Sequence, residues 1–124
     1  MIPTIELEVY KEGSIIESII LEGKSLFVFG CNPNKANVIL MHASISRCHA
    51  ALIIDKKIGA MIIDLLSKAS TYLNGEKLIG LVGRSIKIGD QIHFGQSTRT
   101  YVVKNIDYSK MQKAFEKEAQ DLER

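Results

Sequence analysis

Apolar and polar residues alternate near the start of the chain. Ile5, Leu7 and Val9 are apolar, while Glu6, Glu8 and Tyr10 take the other face. That period of two predicts a half-buried strand over residues 4–10. Glu12-Gly13 is a turn, and the isoleucine-rich stretch Ser14 to Leu21 predicts a second strand. Leu26-Phe27-Val28-Phe29 is apolar throughout, the pattern of a strand buried on both faces or at the centre of a sandwich. Gly30 breaks the run, and Asn32-Pro33-Asn34 is loop chemistry.

The same alternation of apolar runs and polar breaks continues. Asn37 to Leu40 reads as a short strand, Met41 to Cys48 as a loop, and His49 to Ile54 as another apolar run. Lys56 to Gly59 turns the chain into a strand over Ala60 to Leu65, which leads to the polar loop Ser67 to Ser70. Thr71-Tyr72-Leu73 is β-prone. Asn74-Gly75 follows it and is the strongest hairpin signal in the chain, because both residues tolerate positive φ. Ile86 and Ile88 flank Lys87 in strand alternation, and Gln91 to Phe94 and Thr98 to Val103 close the β region. Many short strands with regular turn signals predict an all-β, antiparallel sandwich over residues 1–105.

Residues 106–124 differ. Met111, Phe115 and Leu122, with Ala114 and Ala119 beside them, share one helical stripe, and Asp107 or Ser109 is placed to cap it. This predicts a C-terminal amphipathic helix. It either packs back on the sandwich or frays as a tail, or it offers a contact for a partner or a second copy.

Composition narrows the function classes. The chain has 124 residues and a net charge of +2, enough for one modest core and too little charge for a nucleic-acid-binding face. Aromatic residues make up 6%, so stacking platforms for bases are scarce. The first residues carry no signal-peptide pattern, and no apolar run approaches the ~20 residues of a membrane span. Cys31 and Cys48 fit free thiols in a reducing compartment. These features point to a nuclear or cytoplasmic protein with no membrane association and no direct nucleic-acid partner.

Several separated motifs carry a family resemblance. Phe29-Gly30-x-Asn32-Pro33, Ser44-Ile45-Ser46-Arg47-x-His49-Ala50, Ile63-Asp64-Leu65-x-Ser67, Thr71-Tyr72-Leu73-Asn74-Gly75 and Gly89-Asp90-x-Ile92-x-Phe94-Gly95 occur in that order. Together they resemble the forkhead-associated (FHA) domain over residues 5–104. The run Phe94 to Tyr101 is similar to a nuclear subgroup that includes kanadaptin, the nuclear inhibitor of protein phosphatase 1 and splicing-associated proteins. The resemblance implies an eleven-stranded sandwich whose loops at one end bind phosphothreonine peptides. It also implies a signalling or RNA-processing setting. By the same resemblance, the position of Cys31 touches the phosphate, Ser46 gives it a hydroxyl and Arg47 adds a polar group. His49 braces the loop, and Gly30 permits a tight backbone. The 67–70 loop holds the peptide backbone and encloses the threonine methyl group.

The chain departs from that pattern at two places. Cys31 stands where the family has arginine, and Lys68-Ala69-Ser70 stands where it has Thr-Asn-Gly. A phosphothreonine carries about −1.5 to −2 charge and three acceptor oxygens, and a neutral thiol cannot answer it. Arg47 and Lys68 lie on the two loops that should converge, so they are expected to restore the cation from new positions. The alternative is that both are solvated loop charges and that the domain mediates phosphate-independent contact or dimerisation. The candidate peptide-binding residues are therefore Ser44, Ser46, Arg47, Ser67, Lys68, Ala69, Ser70 and Cys31, with Gly30, His49, Asn74 and Gly75 shaping the site. The bland reading of the serines is that they bond their own turns.

No enzymatic arrangement is expected. Cys31, His42, Cys48 and His49 lack zinc-ligand spacing. Cys48 and His49 adjoin on an emerging strand and face opposite sides. No phosphate-cradling Gly loop, dinucleotide fingerprint or carboxylate pair is present, and no cofactor is expected.

Overall fold

The structure, a computed structural model, describes residues 4–55, 57 and 59–107. Eleven strands fill that span: β1 (Thr4–Lys11), β2 (Ser14–Leu21), β3 (Leu26–Gly30), β4 (Val38–Ile39), β5 (Ala50–Asp55), β6 (Gly59–Asp64), β7 (Thr71–Leu73), β8 (Glu76–Lys77), β9 (Arg84–Ile86), β10 (Gln91–Phe94) and β11 (Arg99–Asp107). They form a six-stranded sheet in the order β2-β1-β11-β10-β7-β8 and a five-stranded sheet in the order β4-β3-β5-β6-β9. The expected all-β sandwich is what forms. Of the C-terminal helix expected over residues 106–124, residues 108–124 lie outside the described residues, and residues 106 and 107 belong to β11. Asp107, one of its two capping candidates, ends β11.

Alternation decides what goes inside. Ile5, Leu7 and Val9 of β1 are fully buried, and Phe27, Phe29, Leu52, Ile62, Ile92 and Val103 join them between the sheets. Phe29 and Phe94 stack across the core with ring centroids 5.1 Å apart, and Tyr101 meets Phe94 edge-on at 5.1 Å. Such aromatic pairs add about 0.5–1.5 kcal/mol beyond their burial. Burial lifts the Tyr101 phenol above its ordinary value of 10.0, against the opposing pull of Arg99. Below pH of about 10 the phenol is protonated in both the folded and unfolded states. Above that the unfolded chain releases a proton that the folded chain retains, so stability falls as pH climbs through the raised folded value. Thermal unfolding followed from neutral pH into this alkaline window should show the decline, and Tyr101→Phe should flatten it.

Three local expectations are corrected. The apolar run of β3 is not buried on both faces, because Leu26 is exposed and Val28 half-buried; only Phe27 and Phe29 point inward. β9 spans Arg84–Ile86 and does not continue through Ile88. The Asp90 carboxylate accepts the Lys87 N–H at 2.9 Å, and Asp90 N–H donates to the Lys87 carbonyl at 3.1 Å. That turn ends the strand and leaves Ile88 exposed. Asn74 (φ 51°) and Gly75 (φ 83°) make the expected hairpin turn, which joins β7 to β8. Tyr72 pairs with Lys77 and Leu73 with Glu76 across it. Finally, β4 runs parallel to β3, although the sandwich is otherwise antiparallel. The Asn37 side chain accepts the Val28 N–H and the Asn37 N–H donates to the Val28 carbonyl, both at 2.8 Å. This return brings β4 alongside β3 in the same direction.

Register gathers the loops at one end. Phe29 pairs with Ala50, Ala50 with Asp64, and Phe94 with Thr71. The segments following β3, β6 and β10, and the one preceding β5, therefore emerge at the same rim.

Candidate functional site

Gly30 sets the closest approach in that rim. A Cβ built there would lie 2.0 Å from the Arg47 carbonyl oxygen and 2.7 Å from its carbon. Bonds on both sides hold the two segments at that distance. His49 N–H donates to the Phe29 carbonyl at 2.7 Å, and Cys31 N–H to the Ser46 carbonyl at 3.1 Å.

His49 ties the 41–49 segment to the 65–70 segment. Its ring is fully buried and meets Phe94 edge-on at 5.9 Å. Nδ1 accepts the Ser46 N–H at 3.1 Å, which places the ring proton on Nε2, and Nε2–H donates to the Ser70 carbonyl at 2.7 Å. Both ring nitrogens are thus engaged within the protein. Ser70 takes φ 71°. The backbone thus keeps the left-handed turn that glycine makes freely, at a steric cost on the order of 1–2 kcal/mol.

Asp64 is the second tie, and sequence reasoning gave it no role. Its buried carboxylate accepts the Ser67 N–H at 3.1 Å, the Ser67 hydroxyl at 2.5 Å and the Thr71 hydroxyl at 2.8 Å. An aspartate closing an apolar strand, with hydroxyl residues three and seven positions on, was the available signal for such a turn.

Ser46 connects the two segments at the surface. Its Oγ accepts the Lys68 N–H at 3.0 Å. A hydroxyl has one donor and two acceptor sites, so this bond leaves the proton able to donate elsewhere. Ser44 is used differently: its hydroxyl bonds the His42 Nδ1 at 2.8 Å and accepts the Gln96 N–H at 2.8 Å. Gly95 (φ 55°) passes beside it, where a Cβ would lie 2.7 Å from Ser44 Oγ and 3.3 Å from Ala69 Cβ.

These segments enclose an open depression of about 570 Å³ lined by Cys31, Ala43, Ser44, Ile45, Ser46, Arg47, Lys68, Ala69 and Gln96. The volume lies in the usual range for ligand sites, roughly 300–1,000 Å³. Of the sequence-nominated residues, Cys31, Ser44, Ser46, Arg47, Lys68 and Ala69 are brought together there. Ser67 and Ser70 are not in the lining; they shape the loop from below. Asn74 and Gly75 lie on the β7–β8 turn, where the Asn74 amide donates to Asp90 and accepts the Gln91 N–H. Gln96, Ala43 and Ile45 are additional lining residues. Arg47 and Lys68 are exposed and form no ion pair with any described residue, the described pairs being Arg84–Glu76 and Lys104 with Glu6 and Glu8. The depression therefore carries positive charge without an internal counterion, beside a hydroxyl with a proton to donate. That set suits an anion.

Comparison with known proteins agrees with the fold and with the family resemblance. The human nuclear inhibitor of protein phosphatase 1 is 35% identical over 103 residues, a match covering 82% of this chain and 29% of that protein. The chain thus spans under a third of that relative's length. The FHA domain of the CT664 protein from Chlamydia trachomatis superposes with a TM-score of 0.70 at 24% identity, covering 82% of this chain and 97% of that one. An FHA domain solved in a study of phosphothreonine-dependent interactions gives 0.66 at 20% identity, covering 82% and 96%. The family profile of the FHA domain matches residues 27–95, the span that holds both converging segments and the β7–β8 turn, and the chain belongs to the FHA-domain family.

Proposed function

We propose that this domain is a protein-interaction module that reads phosphothreonine through an atypical pocket, in which Arg47 and Lys68 supply the positive charge and Ser46 the hydroxyl. The observation that carries the reading is the bond between Lys68 N–H and Ser46 Oγ. It fixes the two cation-bearing segments against each other and leaves the serine proton to donate to a phosphate oxygen. Lysine is a point charge without a planar fork, so binding is weaker and less selective than an arginine at position 31 would give. The partner is a phosphorylated protein, and the likeness to a nuclear phosphatase inhibitor favours a nuclear setting. No cofactor or catalysis enters.

A second reading has its own support. Cys31 and Ala69 line the depression and bring neither charge nor a side-chain amide, which favours phosphate-independent contact or dimerisation. Titration against paired threonine-phosphorylated and plain peptide libraries separates the two. The proposed function requires a phosphate-dependent gain that shrinks as salt is raised. Equal binding of both libraries, or none, supports the second reading.

A further inference from the structure

We infer that the partner bound at this pocket also presents apolar residues beyond its phosphosite, and that these dock on a patch formed by Leu66, Ile79, Leu81 and Val82. The inference rests on the phosphopeptide reading above and extends the same interface. The segment Leu78-Ile79-Gly80-Leu81-Val82-Gly83 contains no polar side chain, yet it joins β8 to β9 at the surface. Leu66, Ile79, Leu81 and Val82 are 71%, 72%, 59% and 49% exposed.

The patch is assembled from two segments. A Cβ at Gly80 would lie 2.6 Å from Leu66 Cδ2, so Leu66 lies over bare glycine backbone. Leu81 N–H donates to the Asp64 carbonyl at 2.9 Å, which anchors the 78–83 segment to the end of β6. Val82 N–H closes the turn on the Ile79 carbonyl at 3.1 Å. Both leucines sit in the left-handed region, Leu66 at φ 55° and Leu81 at φ 64°. Large apolar residues rarely take that conformation, and backbone strain of this kind concentrates at binding sites.

Continuity identifies the occupant. Leu66 is two residues from Lys68, which lines the pocket, and the intervening Ser67 is clamped to Asp64. A segment with its phosphate at Lys68 passes within reach of Leu66. The stretch has no charge of its own and is flanked by the exposed Arg84–Glu76 pair, 3.3 Å apart. The surface thus selects apolar side chains within a polar rim, the usual anatomy of an interaction face.

The test uses the whole chain and matched synthetic peptides. Each peptide holds a central phosphothreonine or plain threonine, with flanks of leucine and valine or of serine and glutamine. The variant Leu66→Asn/Leu81→Asn keeps residues that tolerate positive φ, so the fold is retained; circular dichroism checks this. Amide chemical shifts report affinity and site. The apolar-flanked phosphopeptide should bind about tenfold more tightly than the polar-flanked one, shifting residues 78–83. The variant should erase that preference and leave polar-flanked binding unchanged. Equal affinity of both flank types for the unmodified chain overturns the patch. Flank preference without phosphate dependence keeps the patch and defeats only the pocket reading. Self-association that the same variant abolishes assigns the surface to a second copy and overturns the inference.

Discussion

Gly30→Ala should destabilise the domain by roughly 3 kcal/mol. Gly30 does not have a positive φ, so alanine suits its backbone and even gains about 0.4–1 kcal/mol from a less flexible unfolded chain. The cost is steric. The new Cβ would meet the Arg47 carbonyl oxygen at 2.0 Å, and backbone cannot rotate aside as a side chain can. Separation must stretch the His49–Phe29 and Cys31–Ser46 bonds on either side. Overpacking costs about 1–3 kcal/mol, and each strained backbone bond adds about 1 kcal/mol. For a domain of this size that lowers the melting temperature by on the order of 10–20 °C. Gly13→Ala is the control. Gly13 has φ 80° with nothing within 4 Å of its added Cβ, so it tests conformational strain alone and should cost about 1–2 kcal/mol. Equal loss at the two positions would remove the close approach as the reason for Gly30.

Much of the architecture was legible because it depends on local chemistry. The Ile5-Leu7-Val9 alternation places one face inward whatever the neighbours are. Asn74-Gly75 dictates a tight turn through its tolerance of positive φ. What escaped depends on contacts distant in sequence. Leu26 and Val28 are as apolar as Phe27 and Phe29, and only the second sheet decides which pair is covered. The end of β9 is set by Asp90 reaching back to Lys87, and the direction of β4 by Asn37 bonding Val28. In the site, the same limit separated lining from scaffold. Ser46 and Ser67 are both loop serines. The first faces Lys68 across the rim, and the second is consumed by a buried Asp64. Ser44 lines the depression while its hydroxyl is committed to His42 and Gln96. The family resemblance nominated all of them, and only the three-dimensional bonding divides their roles.

Replacing both Arg47 and Lys68 by alanine should lower phosphothreonine-peptide affinity by about 100-fold while leaving the fold intact. Both side chains are exposed and neither is part of an ion pair with a described residue, so stability should change by no more than about 0.5 kcal/mol. The Ser46–Lys68 bond survives, because it uses the Lys68 main-chain N–H. What disappears is the charge facing the phosphate. A charge-assisted bond to a dianion contributes about 1.5–3 kcal/mol, and solvent screening at an open rim keeps each near the lower figure. Two such losses multiply to the expected factor. Cys31→Arg in that double variant should then recover at least about tenfold. Cys31 already lines the depression, its N–H is pinned to the Ser46 carbonyl at 3.1 Å, and a guanidinium there can grip two phosphate oxygens at once. Calorimetric titration with phosphorylated and plain peptides measures both steps. If the double variant binds as the unmodified chain does, the two cations are solvent charges and the phosphate reading fails. Rescue by Cys31→Arg after a real loss would show that this rim keeps the shape of a phosphate site and has moved only its charge.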